Sequence, residues 1–218
     1  MEVYNFSDHN TIYNKFLSQL RNVQIQNERM RFRRNLERLG ELTAYEISKR
    51  MKYEERGIET PLGISKMNLT NEIPVLATIL RAGLPLQQGL LNYFDDADNC
   101  FISAYRKHTS KEEFEVEIEY MSSPGLNNRT VILNDPMLAS GRSMVLAYKA
   151  LLERGIPELI HVVSVIASRE GVEFVKNNLP DNTTIWVGAI DPEMTPESYI
   201  VPGLGDAGDL AFGSKEDK

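Results

Sequence analysis

Residues 131–143 constrain this chain most, because they join an apolar strand to a helix through one acid and a turn of small residues. Val131-Ile132-Leu133 has no polar face, as in a strand covered on both sides. Asn134 and Asp135 end it, and Pro136-Met137-Leu138-Ala139-Ser140-Gly141-Arg142-Ser143 leads into a helical pattern. Backbone N–H groups at a helix start are unpaired and carry the positive end of the helix dipole, so they attract an anion. Ser140 and Ser143 add hydroxyl donors, and Gly141 permits close approach of the backbone. Asp135 stands at the carboxyl end of the strand, where open α/β sheets bind ligands. A phosphate cradle with a carboxylate one sugar away implies a ribose 5-phosphate site.

The rest of the chain has the rhythm this motif requires. Apolar runs at 74–80, 100–105, 130–134, 160–167 and 184–190 read as strands. Helical patterns reach Leu91 and span 144–153 and 170–178. The alternation predicts an α/β fold with a parallel sheet, right-handed crossovers and flanking helices. The first fifty residues read as helical, with Phe32, Leu36, Leu39, Thr43 and Ile47 on one face. The basic run from Arg29 to Arg38 reads as a solvated face or a subunit contact. Phe114, Val116, Ile118 and Tyr120 alternate with glutamates, which predicts an antiparallel arm at the sheet edge. Residues 214–218 read as a polar tail.

Composition excludes several classes. A chain of 218 residues with 42% hydrophobic residues can bury one core, so 1–218 is read as one domain. Helices occupy about 11–53 of it and a catalytic core about 58–213. A net charge of −7 argues against nucleic acid as a partner. No apolar run approaches the ~18 residues of a membrane span, and the start lacks a leader pattern, so a cytoplasmic location is expected. Cys100 is the only cysteine, so no intrachain disulfide forms, and it reads as a packed strand residue. His9, His108 and His161 are too scattered for a metal cluster; His108 reads as a loop residue and His161 as structural.

Gly203-Leu204-Gly205-Asp206-Ala207-Gly208 matches a dinucleotide fingerprint. That motif requires a helix, a strand and an acid about 20 residues on; only ten residues follow Gly208. What remains is a glycine-rich loop with Asp206 and Asp209, rich in backbone groups that can meet a ligand. Arg81 and Arg106 each follow a predicted strand, on the same sheet edge as Asp135. Paired guanidinium forks there suit a second, more charged phosphate group.

With these motifs in place, the chain resembles the uracil phosphoribosyltransferase family from about Phe16 to Gly213. Asp135 to Ser143 resembles its phosphoribosyl pyrophosphate loop, and Ile79-Leu80-Arg81-Ala82-Gly83 its pyrophosphate loop. Tyr199 to Asp209 resembles its C-terminal uracil-binding stretch, the most specific of the three. The resemblance implies a type I phosphoribosyltransferase-like sheet with an antiparallel β-arm and a C-terminal hood. It implies transfer of a phosphoribosyl group to uracil, giving UMP and pyrophosphate in pyrimidine salvage. Arg81 and Arg106 would hold pyrophosphate, Asp135 the ribose hydroxyls, and Ala139 to Ser143 the 5′-phosphate. Ile200, Gly205, Asp206 and Ala207 would meet uracil, and Asp206 would also orient the phosphoribosyl substrate. The catalytic set is then Asp135, Arg81, Arg106 and Asp206, with Pro136, Met137 and Leu138 completing the substrate loop. Magnesium would be held mainly by substrate phosphates and water, with no direct protein cluster. The family further implies a homodimer or homotetramer and, in some members, activation by GTP. Closure of an arm over 112–120 would exclude water. The alternative is a non-catalytic nucleotide-sensing regulator on the same fold. Arg142 stands where the family has glycine, and arginine would be strained if that position needs a positive φ. Ser140 replaces threonine, and 192–198 and the N-terminal helices diverge.

Overall fold

The computed structural model describes residues 1–108 and 114–215, and side chains outside 104–117. In chain order the first elements are β1 (Glu2–Asn5), α1 (Ile12–Arg21), α2 (Arg29–Ser48), β2 (Glu54–Thr60) and β3 (Gly63–Leu69). There follow β4 (Val75–Leu80), α3 (Gly83–Leu91), β5 (Asp98–His108), β6 (Phe114–Ser122), β7 (Thr130–Asn134) and β8 (Met137–Leu138). The chain ends with α4 (Arg142–Leu151), β9 (Leu159–Ser168), α5 (Arg169–Asn178), β10 (Thr183–Asp191), β11 (Glu193–Met194), β12 (Ile200–Val201) and α6 (Ala207–Phe212).

The central sheet runs β1-β10-β9-β7-β4-β5-β6, with β8 also pairing β9. Every pair in it is parallel except β5–β6. The apolar runs of its inner strands follow from coverage on both faces. Leu76 and Ile132 point into a cluster with Leu20, Phe32, Leu36, Leu90 and Trp186. Val75, Ala77, Val131 and Leu133 point the other way, toward Met144, Val145, Val172 and Val175. Neighbours along a strand thus serve opposite cores, and neither face tolerates polarity. Phe32, Leu36, Leu39, Thr43 and Ile47 of α2 are all buried, as their spacing predicts. Truncating Leu36 to alanine would cost about 2–5 kcal/mol.

Two elements depart from the sequence expectation. β1 pairs in parallel with β10, where a helical start was expected. Four residues are too few to show a period, and the strand depends on β10 as its template. β2 and β3 form a separate two-stranded antiparallel hairpin, with Pro61 and Leu62 between them. Most of its residues are exposed, so no apolar face marks it in the sequence.

The carboxyl ends of the parallel strands build the site. Leu80, Asn134, Ser168 and Asp191 end β4, β7, β9 and β10 there. β5 extends past that edge: its register with β4 stops at Leu80↔Ser103, while its register with β6 continues to His108↔Phe114. Arg106 therefore lies within a strand, opposite Val116, rather than after one. His108 likewise ends β5 and is not a loop residue. Both differences have one cause: the arm supplies backbone partners where the parallel sheet has none. Of the arm proposed to close over the site, Glu112 and Glu113 lie outside the described residues, as do 216–218 of the tail.

Candidate active site

The loop after β7 is built from Asp135. Its N–H donates to Val163 O at 3.1 Å, and its Oδ1 accepts the Met137 N–H at 3.2 Å. This bond turns the chain back so that Met137 and Leu138 pair beside Ile166 and Ala167 of β9. The loop is tied down from below at each step. Ser164 Oγ donates to Asp135 O at 2.7 Å. The Val165 and Ile166 N–H groups donate to Pro136 O at 3.0 Å. Ser168 Oγ donates to Ala139 O at 2.6 Å and accepts the Gly171 N–H at 2.8 Å, capping α5.

Two glycines make this packing possible. A Cβ on Gly171 would lie 2.1 Å from Ala139 O. Gly141 has φ +76, and its Cβ would lie 2.9 Å from Gly171 O. Gly141 therefore takes the left-handed turn that opens α4, and Arg142 is the first helical residue. The position with positive φ is Gly141, so the arginine at 142 carries no such strain. Its side chain is exposed at the helix start. The first turn of α4 presents its N–H groups at the loop mouth, beside Ala139, Ser140 and Ser143.

The turn after β4 faces this loop. A buried network joins the two strands. Thr78 Oγ1 donates to Asn134 Oδ1 at 3.0 Å, and Asn134 Nδ2 donates to Ala77 O at 2.9 Å and Gln87 Oε1 at 2.6 Å. Asn134, the residue before Asp135, thus links β4, α3 and β7. Arg81 follows β4 directly, after a cis peptide bond.

The hood closes the site from the far end of the chain. β12 pairs with β11, burying Ile200. The backbone then turns through left-handed conformations at Gly203 and Gly205. Asp206 caps α6, its Oδ1 accepting the Asp209 N–H at 2.9 Å. Arg81 Nη2 reaches Asp209 Oδ1 at 3.0 Å, joining the β4 turn to α6. Asp209, which the sequence showed only as part of a glycine-rich loop, is thus tied to the candidate site through Arg81. An open cavity of about 780 Å³ beside the hood is lined by Gln26, Arg29, Gly205, Asp206 and Asp209 among others.

Asp135 is the acid of the loop whose titration the fold shifts most. Burial pushes its carboxyl up to about 7, the Met137 N–H opposes that rise, and the charge on Asp206 adds to it. The structure joins Arg81 to Asp209 and Asp209 to Asp206, and places Asp135 and residues 136–143 at the strand edge that Arg81 follows. Arg106 is placed on the same edge by its strand register. No group of three metal-ligating His, Cys, Asp or Glu side chains occurs among the described residues. Cys100 is buried in the sheet, and burial raises its thiol. His161 is buried too, accepts the Trp186 Nε1–H at 3.1 Å, and is lowered by burial to about 4. Neither takes part in the site.

Comparison with known proteins bears on this geometry. The family model for uracil phosphoribosyltransferase matches residues 6–214. A uracil phosphoribosyltransferase of Porphyromonas gingivalis is 53% identical over 215 residues, covering 99% of this chain and 100% of that one. One from Methanococcus maripaludis is 39% identical, covering 97% and 90%. Among solved structures, the AQ2163 protein from Aquifex aeolicus superposes with a TM-score of 0.85 at 29% identity, covering 97% and 98%. Sequence, fold and the placement of the phosphate loop agree: this chain belongs to the uracil phosphoribosyltransferase family.

Proposed function

We propose that Arg81, Asp135, the loop to Ser143 and the hood from Ile200 to Asp209 carry out transfer of a phosphoribosyl group from phosphoribosyl pyrophosphate to uracil. The products are UMP and pyrophosphate, which places the protein in pyrimidine salvage. The observation that carries the reading is the 3.0 Å contact of Arg81, on the turn after β4, with Asp209 on the hood, which brings the hood to the strand edge that carries the phosphate loop.

Departure of pyrophosphate leaves positive charge on the ribose ring, so the task is positioning and electrostatics rather than covalent catalysis. The N–H groups of Ala139 to Ser143, with the Ser140 and Ser143 hydroxyls, hold the 5′-phosphate. Asp135 meets the ribose hydroxyls and favours the cationic sugar. Arg81 exchanges its Asp209 contact for the departing pyrophosphate, and Arg106 approaches from the arm. Uracil is a planar imide with two acceptors flanking a donor, so the backbone of Ile200 and Gly205 to Ala207 can read it without charged side chains. Asp135 and Asp206 are two carboxylates facing one site, a donor set that fits a divalent cation held mainly by substrate phosphates and water. Bound magnesium would supply neutralisation of the pyrophosphate charge. Assembly as a homodimer or homotetramer, activation by GTP and a cytoplasmic location belong to the same reading.

The test is UMP formation from uracil and phosphoribosyl pyrophosphate with magnesium, with and without GTP. Product that requires both substrates, with uracil preferred in competition with other bases, is the expected outcome. No product from folded protein would favour a ligand-binding regulator on this fold.

A further inference from the structure

The hood is held from behind by side chains of the N-terminal helices. Arg21, at the end of α1, forms a two-pronged pair with Asp191 at the end of β10, both contacts 2.7 Å. The same guanidinium donates from Nη1 to Gly203 O at 2.9 Å. Asp191 Oδ2 accepts the Gly203 N–H at 2.9 Å. Both backbone groups of Gly203 are therefore fixed by one ion pair, whose Asp191 side chain is only 7% exposed. Gln26, buried between α1 and α2, donates through Nε2 to Leu204 O at 2.7 Å. Arg33 of α2 donates to Ala211 O at 2.7 Å, so part of the basic run supports the helix that ends the hood.

We propose that Arg21, with Gln26 and Arg33, is a positioning residue for base recognition. This rests on the reading that the hood binds uracil. A backbone that reads an imide does so by the direction of each peptide group. A peptide that turns over replaces an acceptor with a donor and loses the match. Arg21 and Gln26 hold the Gly203 and Leu204 carbonyls toward the helices. They thereby set the direction of the Gly205, Asp206 and Ala207 peptides that follow, without touching the base. None of these contacts reaches residues 135–143, so their larger effect falls on the base, with Asp206 and Asp209 carrying a smaller one to the phosphoribosyl substrate.

The experiment measures kcat and both Michaelis constants in the full-length protein for Arg21→Met, Arg21→Lys and Arg33→Met, with melting temperatures. Gly205→Val, within the hood itself, is the control for the underlying reading. Misplacement by about 1 Å can cost 10²-fold, so Arg21→Met should raise the uracil constant about tenfold or more. The phosphoribosyl pyrophosphate constant should rise by clearly less, about threefold at most, since the loop that holds its 5′-phosphate is built elsewhere and the hood lends that substrate only Asp206 and Asp209. Arg21→Lys keeps the charge but not the fork and should fall between. Arg33→Met removes one contact from α2 and should show the same selectivity more weakly, which also covers failure of the Arg21 variants to fold. An unchanged uracil constant in the Arg21 and Arg33 variants, or equal rises in both constants with a falling melting temperature, overturns the proposal. If Gly205→Val raises the uracil constant while the Arg21 and Arg33 variants do not, only the positioning role fails. If Gly205→Val also leaves it unchanged, the assignment of uracil to the hood fails with it.

Discussion

The phosphate loop and the hood face one site, yet they are held in opposite ways. Residues 135–143 rest on β9 and α5, the strand and helix that follow α4, through Ser164, Ser168 and Gly171. The hood rests on Arg21, Gln26 and Arg33, nearly the whole chain away. The first arrangement is local and compact, because a phosphate is met by backbone N–H groups that a strand–turn–helix unit exposes by itself. The second is long-range, because a loop with little secondary structure of its own must borrow rigidity. A small planar base offers no charge to organise the loop around it, so the loop has to be in place beforehand.

The sharpest break in this comparison comes where the two regions meet. Asp206→Asn keeps a good helix cap but removes the charge facing Asp135. Turnover should fall about 100-fold, the scale of losing one preorganised electrostatic contact, while the melting temperature holds. Near-normal turnover would remove Asp206 from the site.

Gly171→Ala probes the loop side. The added Cβ would lie 2.1 Å from Ala139 O, so the loop must lift. The constant for phosphoribosyl pyrophosphate should rise about tenfold, as small misplacements of binding groups do, with the uracil constant unchanged. Equal rises in both constants would show that the two regions are not independently supported.

A titration sharpens the contact between them. Burial raises the native Asp135 carboxyl to about 7, above the roughly 3.9 of an unfolded aspartate. The native state binds the proton more tightly, so this contribution to stability is complete below about pH 4 and is lost as pH rises through about 7. Melting of the ligand-free protein should therefore decline between about pH 4 and pH 7 and level off above, and Asp135→Asn should flatten that decline. Asp206→Asn should move the transition to lower pH, since the charge that adds to the rise is gone. A decline that persists unchanged in Asp135→Asn would assign it to another group.

The smallest effect belongs to Arg142→Gly. The side chain is exposed and the backbone there is helical. The phosphoribosyl pyrophosphate constant should change by no more than about threefold, as for an exposed charge screened by water. A tenfold rise would make the Arg142 side chain itself a phosphate ligand.

Sequence alone carried the parts whose physics is local. Val131 to Ser143 announces a strand, an acid and a helix start within thirteen residues, and those residues form that unit. The inner strands are legible because two covered faces demand an unbroken apolar run, and the face of α2 because its period is 3.6. The hood's glycines and Asp206 were visible as a ligand loop. Other features needed the folded chain. β1 and the β2–β3 hairpin have no apolar signature, because one is four residues at an edge and the other is mostly exposed. Arg106 sits inside a strand because β6 extends β5 past the sheet edge, a pairing no single segment encodes. The strain suspected at Arg142 vanished because the left-handed turn falls one residue earlier, at Gly141, where α5 presses against it. The roles of Arg21, Gln26 and Asp191 were silent for a simple reason: a side chain that bonds a distant carbonyl leaves no period, spacing or motif. Sequence determined the groups proposed to meet phosphate and base; only tertiary structure decided what holds them there, because that support comes from contacts between residues far apart in the chain.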